Sequence, residues 1–287
     1  MREVRANLTS SPLKDGRFRP KKRFGQNFLH DRGMAAKIVD AARIGPGDVV
    51  VELGPGKGVL TRLIAERGAR LIALELDRGL VEELSAELSG RSNVEVVSAD
   101  FTKISLTQLL GERGLERCVL IGNIPYHLTR DVLFDFLVDE YHSISRAIIM
   151  MQREVGDRVA SRPGSRVYGI PSVVLQSLYD IEVVAKVAAG AFFPPPRVAS
   201  IVLGFRPLAR TMLAEDEIRP FIALVKNVFQ QRRKTIYNTL RAFYSLSEDS
   251  LSRIREETGI DLQSRPEALS KEAFLALSRS VTAVLAS

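Results

Sequence analysis

DVVVELGPGKGVLT, residues 48–61, decides the fold. A β-branched apolar run leads into glycines at 54, 56 and 58, and apolar residues resume at Val59. That order spells a buried strand, a tight turn and the start of a helix. Glycines let the backbone pass close to a ligand, and the free N–H groups of the helix N-terminus face any anionic part of it. The dinucleotide fingerprint places a third glycine at residue 59, where this chain has Val59, so an NAD or FAD site is disfavoured.

Four further apolar runs follow at helix-sized intervals: ARLIALEL (69–76), NVEVVSAD (93–100), RCVLIGN (117–123) and RAIIMMQ (146–152). Strands alternating with helices build a mostly parallel, doubly wound α/β sheet. DIEVVAKVA (180–188) and ASIVLGFRP (199–207) are expected to close it as an antiparallel edge, and the prolines of AGAFFPPPRV between them force a rigid connection rather than a strand. From about Met212 the period becomes helical, through EIRPFIALVKNVFQQRRKTIYNTLRAF and two later segments that start at Ser247 and Ser270. Three units are therefore expected: a basic arm over 1–22, an α/β domain over 23–208 and a small all-helical domain over 209–287.

At 287 residues, with 45% hydrophobic and 26% charged residues, the chain can bury a large core and has no stretch that suits a membrane span. No apolar signal segment stands at the N-terminus. Cys118 is the only cysteine and lies in an apolar run, which excludes a disulfide framework and fits a reducing cytoplasm. His30, His127 and His142 lack ligand-like spacing, so no metal is expected. Charge is unevenly placed. Eight Lys/Arg against Glu3 and Asp15 put six of the net seven positive charges in residues 1–23, and KNVFQQRRKTIYNTLR (226–241) carries five basic residues without an acid. Both clusters suit phosphate, or else are solvated surfaces.

The carboxyl ends of the predicted strands carry the chemistry. Glu75, 21 residues after Gly54, can accept from both hydroxyls of a ribose, or is a surface acid. Asp77 reads as solvent-facing or a helix cap. Asp100 suits the exocyclic amine of an adenine, or caps the next helix. With Gly54 and Gly56 these imply an adenosine without a diphosphate. At the fourth strand end stands Asn123-Ile124-Pro125-Tyr126. The lone pair of an aromatic amine is delocalised into its ring. Two acceptors holding its N–H bonds, the Asn123 side-chain oxygen and a main-chain carbonyl, favour tetrahedral nitrogen and aim the lone pair at an electrophile. Pro125 fixes the backbone, and Tyr126 offers a ring for an extruded base to stack on. A plain turn is the alternative.

With these residues in place, the chain resembles the ribosomal RNA adenine N6-dimethyltransferase family, the KsgA/RsmA group. Its motifs run in order through RFGQNFLHD (23–31), ELGPGKG (52–58), the acid of ALELD, SAD (98–100), NIPY (123–126), MMQREVGDRV (150–159) and AFFPPPRVAS (191–200). The resemblance implies a Rossmann-like class I methyltransferase that uses S-adenosylmethionine. Gln26, Asn27 and Leu29 would cover the methionine end of that cofactor above Gly54 and Gly56; Glu75 would hold the ribose, Asp100 the adenine, and Asn123 would border both cofactor and target. Asn123 and Tyr126 would position the target amine. Phe192 matches the aromatic that stacks on the target base opposite Tyr126, whereas Phe193 falls where the family varies. Ile170 and Pro171 stand where relatives often carry Arg or Ala followed by Leu, and the arm before Arg17 exceeds the usual start.

The implied reaction is dimethylation of two adjacent adenosines in the last hairpin loop of small-subunit rRNA. The immature small ribosomal subunit would be the partner, the enzyme a cytoplasmic monomer, and Lys226, Arg232, Arg233 and Lys234 of the helical domain its docking cations. The alternatives are an Erm-type large-subunit enzyme, a DNA adenine methyltransferase, and a non-catalytic RNA-binding assembly or transcription factor. Ile124 in place of a first proline counts against the DNA enzyme. An intact cofactor cleft counts against the pure binder.

Overall fold

A computed structural model describes residues 26–209 and 211–286; the basic arm proposed over 1–22 lies outside them. The glycine-turn stretch forms β2 (Val49–Leu53) and α2 (Val59–Glu66), as the residue order dictates. Ahead of them lie β1 (Phe28–Leu29) and α1 (Arg32–Ala41). After them come β3 (Arg70–Glu75), α3 (Arg78–Glu87), β4 (Val94–Ser98), α4 (Leu106–Gly111) and β5 (Cys118–Asn123). A short helix α5 (Thr129–Asp131) runs into a π-helical turn (Val132–Phe136) before β6 (Ile144–Gln152), α6 (Arg153–Val159) and α7 (Ile170–Leu178). The α/β part ends with β7 (Tyr179–Val187), β8 (Phe192–Phe193) and β9 (Ser200–Pro207).

Seven strands form one sheet in the order β4-β3-β2-β5-β6-β9-β7. β4, β3, β2, β5 and β6 pair in parallel, and β9 is antiparallel to both β6 and β7. The last two strands thus do form an antiparallel pair at the edge, but the later one is inserted inside the earlier. β2 sits at the switch point, where the order reverses and ligands bind in open α/β sheets. Its residues alternate between two cores: Val50 belongs to the one that holds Ile38, Val39 and Ile64, and Val51 and Leu53 to the one that holds Leu106, Phe136 and Leu175. Both layers are apolar because both faces of a parallel sheet are covered.

The AGAFFPPPRV connection is not wholly strandless. Phe192 and Phe193 pair antiparallel with Leu29 and Phe28 in a two-stranded ribbon apart from the main sheet. The ladder ends at Pro194, the first of three residues without an N–H to donate. This ribbon ties the start of the described chain to the strand loop that faces the cleft.

The helical region comprises α8 (Glu215–Gln230), α9 (Ile236–Tyr244), α10 (Glu248–Thr258) and α11 (Lys271–Ala286). Phe221, Val225 and Phe274 belong to the same apolar core as Val174 and Leu175 of α7, so the region packs on the sheet domain's own helices. The basic stretch expected to run on as one helix is broken at Gln231–Thr235. Thr235 accepts from Asn238 N at 3.3 Å as a new N-cap, and the Ile236 and Tyr237 amides donate to Ser264 and Leu262 carbonyls. Side-chain capping and tertiary partners outweigh the helical period there. Ser247 caps α10, and Ser270 accepts from Ala273 N at the start of α11, as the sequence signals indicate.

Candidate functional site

A cleft opens at the carboxyl ends of β2, β3 and β5, bounded by Gln26–Leu29 on one side and Asn123–Leu128 on another, with Phe192 in its wall. The glycine turn forms its base. Gly54, Gly56 and Gly58 all have positive φ, which only glycine adopts without strain. A Cβ on Gly56 would come within 2.9 Å of the Phe28 ring, whereas one on Gly54 would meet nothing within 4 Å among the described residues. Gly56 is closed by packing, and space stands open over Gly54.

Glu75 binds the turn rather than standing free. Its Oε2 accepts from Gly56 N at 3.0 Å and its Oε1 from Asp77 N at 2.9 Å. At 8% exposure, burial pushes its carboxyl above the usual carboxylate range, and those two backbone N–H groups hold it back. Asp77 is buried and caps α3 through Gly79 N, so the helix-cap reading holds and the solvent-facing one does not. Asp100 likewise caps the short 3-10 turn after β4, accepting from Thr102 N and from Thr102 Oγ1 at 2.6 Å. The Thr102 hydroxyl is the main reason its pKa falls, with Lys103 adding to it. The cap uses Oδ1, with Oδ2 3.4 Å from Lys103 Nζ, and the residue still lines the cleft.

Asn123 ends β5, and its Nδ2 donates to the Asn27 carbonyl at 3.2 Å. Ile124 N donates to Met150 O, pinning the turn to β6, and the Pro125 carbonyl accepts from Leu128 N. Tyr126 Oη lies 2.9 Å from Ser200 Oγ at the start of β9, which fixes the phenol in place. Phe192, 3% exposed, closes the wall. Gln26, Asn27, Leu29, Gly54, Gly56, Glu75, Asp100, Asn123, Tyr126 and Phe192 therefore meet in one cleft.

The four cations do not join them. Lys226 Nζ stands 5.9 Å from the Phe134 ring centroid. Arg232 is engaged internally, with Nε 3.7 Å from Glu267 Oε2 and Nη2 donating to the Ser165 carbonyl. Arg233 and Lys234 are exposed on the turn after α8.

Sequence reasoning missed Glu52. It is 1% exposed, lines the cleft, and its Oε2 has no hydrogen-bond partner among the described residues. Burial pushes its carboxyl up to about 8; the Thr61 hydroxyl and the Arg62 guanidinium oppose the shift and the Glu75 carboxylate adds to it. The signal was available: an acid within an otherwise apolar central strand, VVVEL.

A sheet with one reversed strand beside its edge, opening a carboxylate-lined cleft over a glycine turn, defines a Rossmann-like class I methyltransferase. The profile of the family described as "Ribosomal RNA adenine dimethylase" matches residues 17–282. The chain is 43% identical over 267 residues to "Ribosomal RNA small subunit methyltransferase A" of Geobacter metallireducens, covering 93% of this chain and 97% of the relative. It is 38% identical to the protein of that name from Moorella thermoacetica, covering 91% and 92%. Among solved structures it resembles the 23S rRNA methyltransferase ErmE, with a TM-score of 0.70 and 27% identity over 89% of this chain and 100% of that one. The chain belongs to the ribosomal RNA adenine dimethylase family.

Proposed function

We propose that the protein transfers methyl groups from S-adenosylmethionine to the N6 amines of two adjacent adenosines in the 3′-terminal hairpin loop of small-subunit rRNA, acting on the immature subunit in the cytoplasm. The observation that carries this reading is the near end-to-end likeness to small-subunit methyltransferases.

The residues present fit that cofactor. Among the described residues, open space stands over Gly54, a buried Glu52 oxygen lacks a partner, and the carboxyls of Glu75 and Asp100 line the cleft with a single lysine, Lys57. Carboxyl acceptors at these places suit the hydroxyls and amine of a nucleoside and not a diphosphate. Glu75 would accept from the ribose hydroxyls and Asp100 from the adenine amine, with Gln26, Asn27 and Leu29 over the methionine end. When bound, the cofactor supplies a sulfonium methyl, an electrophile that already carries its positive charge.

No strong general base is then required, and the chain's task is positioning. The Asn123 Nδ2 bond to Asn27 leaves Oδ1 as the acceptor for the target amine. A main-chain carbonyl of the Ile124–Pro125 turn would be the second acceptor; that of Pro125 also accepts from Leu128 N. Two acceptors hold the nitrogen tetrahedral and direct its lone pair across the cleft. Tyr126, fixed by Ser200, and Phe192 would sandwich the base, a contribution of about 1–3 kcal/mol per stacked base. After one transfer the amine keeps a single N–H for Asn123, which suffices for the second.

Mass spectrometry of small- and large-subunit rRNA fragments from a strain lacking this gene, with and without the gene restored, tests the reading. Two dimethyladenosines in the 3′-terminal hairpin should vanish and return together. A methyl mark lost from large-subunit rRNA instead would assign the Erm-type activity.

A further inference from the structure

Phe192 and Phe193 are consecutive in β8, so their side chains leave opposite faces of the ribbon. Phe192 belongs to the same buried cluster as Leu29, Ile38 and Val202 and also lines the cleft wall. Phe193 is 56% exposed, the most exposed large apolar side chain among the described residues. Its partner across the ribbon is Phe28, and directly opposed residues project to the same side. Phe28 rests against the glycine turn, where a Gly56 Cβ would touch its ring, and Lys57 Nζ lies 5.5 Å from its centroid. The face that carries Phe193 thus also carries Phe28, which rests on the glycine turn with the exposed Lys57 over its ring.

We propose that Phe193 is the stacking platform for the base beside the target adenosine, with Lys57 as the cation for the adjoining phosphate. This rests on the reading of the cleft as an RNA adenosine site. Extruding a base strips its neighbour of a stacking partner, a loss of a few kcal/mol unless another π-face replaces it. An aromatic plane beside a cation is the chemistry that receives a base together with its phosphate. Tyr126 cannot serve, because its hydroxyl is tied to Ser200 inside the cleft. The platform is also pre-set: β8 is paired to β1, and Pro194, Pro195 and Pro196 follow at once, so little freedom is lost on binding.

The test uses an RNA hairpin in which 2-aminopurine replaces either the target base or the base beside it, titrated with the full chain in the presence of S-adenosylhomocysteine. At the neighbouring position, wild type should quench the probe by stacking. Phe193→Ala and Phe193→Leu should lose most of that quench and bind the hairpin about tenfold more weakly, and Phe193→Tyr should retain both. The response at the target position and the calorimetric affinity for S-adenosylhomocysteine should stay at wild-type values, which also shows that the variants fold. Equal quenching by Phe193→Leu and wild type at the neighbouring position would overturn the proposal alone. No response at either position in wild type would overturn the reading of the cleft, and this proposal with it.

Discussion

Asn123 Nδ2 donates to the main-chain carbonyl of Asn27 at 3.2 Å, joining two residues 96 positions apart. That bond orients the amide, so the oxygen left over is the one an incoming amine meets. Asn123→Ala should lower methyl transfer roughly 100- to 1000-fold, as loss of a preorganised polar contact does. Affinity for S-adenosylmethionine should stay within about threefold of wild type, since Glu75 and the glycine turn remain. Asn123→Asp keeps the shape but sets a carboxylate oxygen against the Asn27 carbonyl, and should be as inactive as the alanine variant. Single-turnover methylation alongside calorimetry decides: near-normal transfer by Asn123→Ala would remove the residue from the mechanism.

Gly54 and Gly56 share a left-handed backbone but face different surroundings, so alanine should act differently at each. Gly56→Ala combines about 1 kcal/mol of backbone strain with a clash against Phe28, and should lower Tm by roughly 2–5 °C as well as weaken donor binding. Gly54→Ala carries the strain alone, because its Cβ meets no atom of the described residues within 4 Å. It should cost less stability, yet weaken donor affinity about tenfold or more by filling the space the cofactor needs. Thermal melts and donor titrations of the pair would show whether the open space over Gly54 belongs to the ligand; unchanged affinity for Gly54→Ala would say that it does not.

Why some of this was legible in the sequence and some was not follows from the range of each interaction. β2, β3 and β5 read directly because burial on both faces leaves mostly apolar runs, and Gly54, Glu75 and Asn123 follow because they stand at the ends of those strands, as Asp100 does after β4. The same local reasoning continued the helix through Arg232 to Lys234, where the Thr235 cap and the Ser264 and Leu262 carbonyls interrupt it. Two of those three partners lie more than twenty residues away and leave no local mark. The Tyr126 to Ser200 contact and the Phe28 to Phe193 pairing were hidden for that reason too. Glu52 differs, since its anomaly was local and needed only the question of why a central strand would bury an acid.

Glu52 makes stability depend on pH in a stated direction. Its carboxyl titrates near 8 in the folded protein against 4.5 in an exposed chain, so the folded state keeps a proton that the unfolded state has lost. Stability from this group is complete below the lower value and is lost as pH rises toward the upper one. Burial of the ionised form is the dominant cause, and glutamine removes it while keeping shape. Glu52→Gln should therefore gain in Tm relative to wild type as pH is raised from about 5 to about 8, with little difference at the acid end. Parallel melting curves across that range would contradict the assignment.

The basic cluster should divide on mutation rather than act as one surface. Arg233 and Lys234 are exposed on the turn after α8, whereas Arg232 pairs with Glu267 and donates to the Ser165 carbonyl. If the exposed pair contacts phosphate, Arg233→Gln with Lys234→Gln should weaken RNA binding across sequences and reduce the slope of log K against log salt by about 1 to 2, one unit per lost contact. Arg232→Gln should instead lower Tm, because it frees Glu267 and a carbonyl of the loop before α7, while its effect on the salt slope should be small. Lys226 stands beside Phe134 and should fall between these extremes. The measurement is a salt titration of RNA affinity for each variant alongside its melting curve. An unchanged slope for the Arg233 and Lys234 pair would leave them as solvated charges and move the docking surface elsewhere.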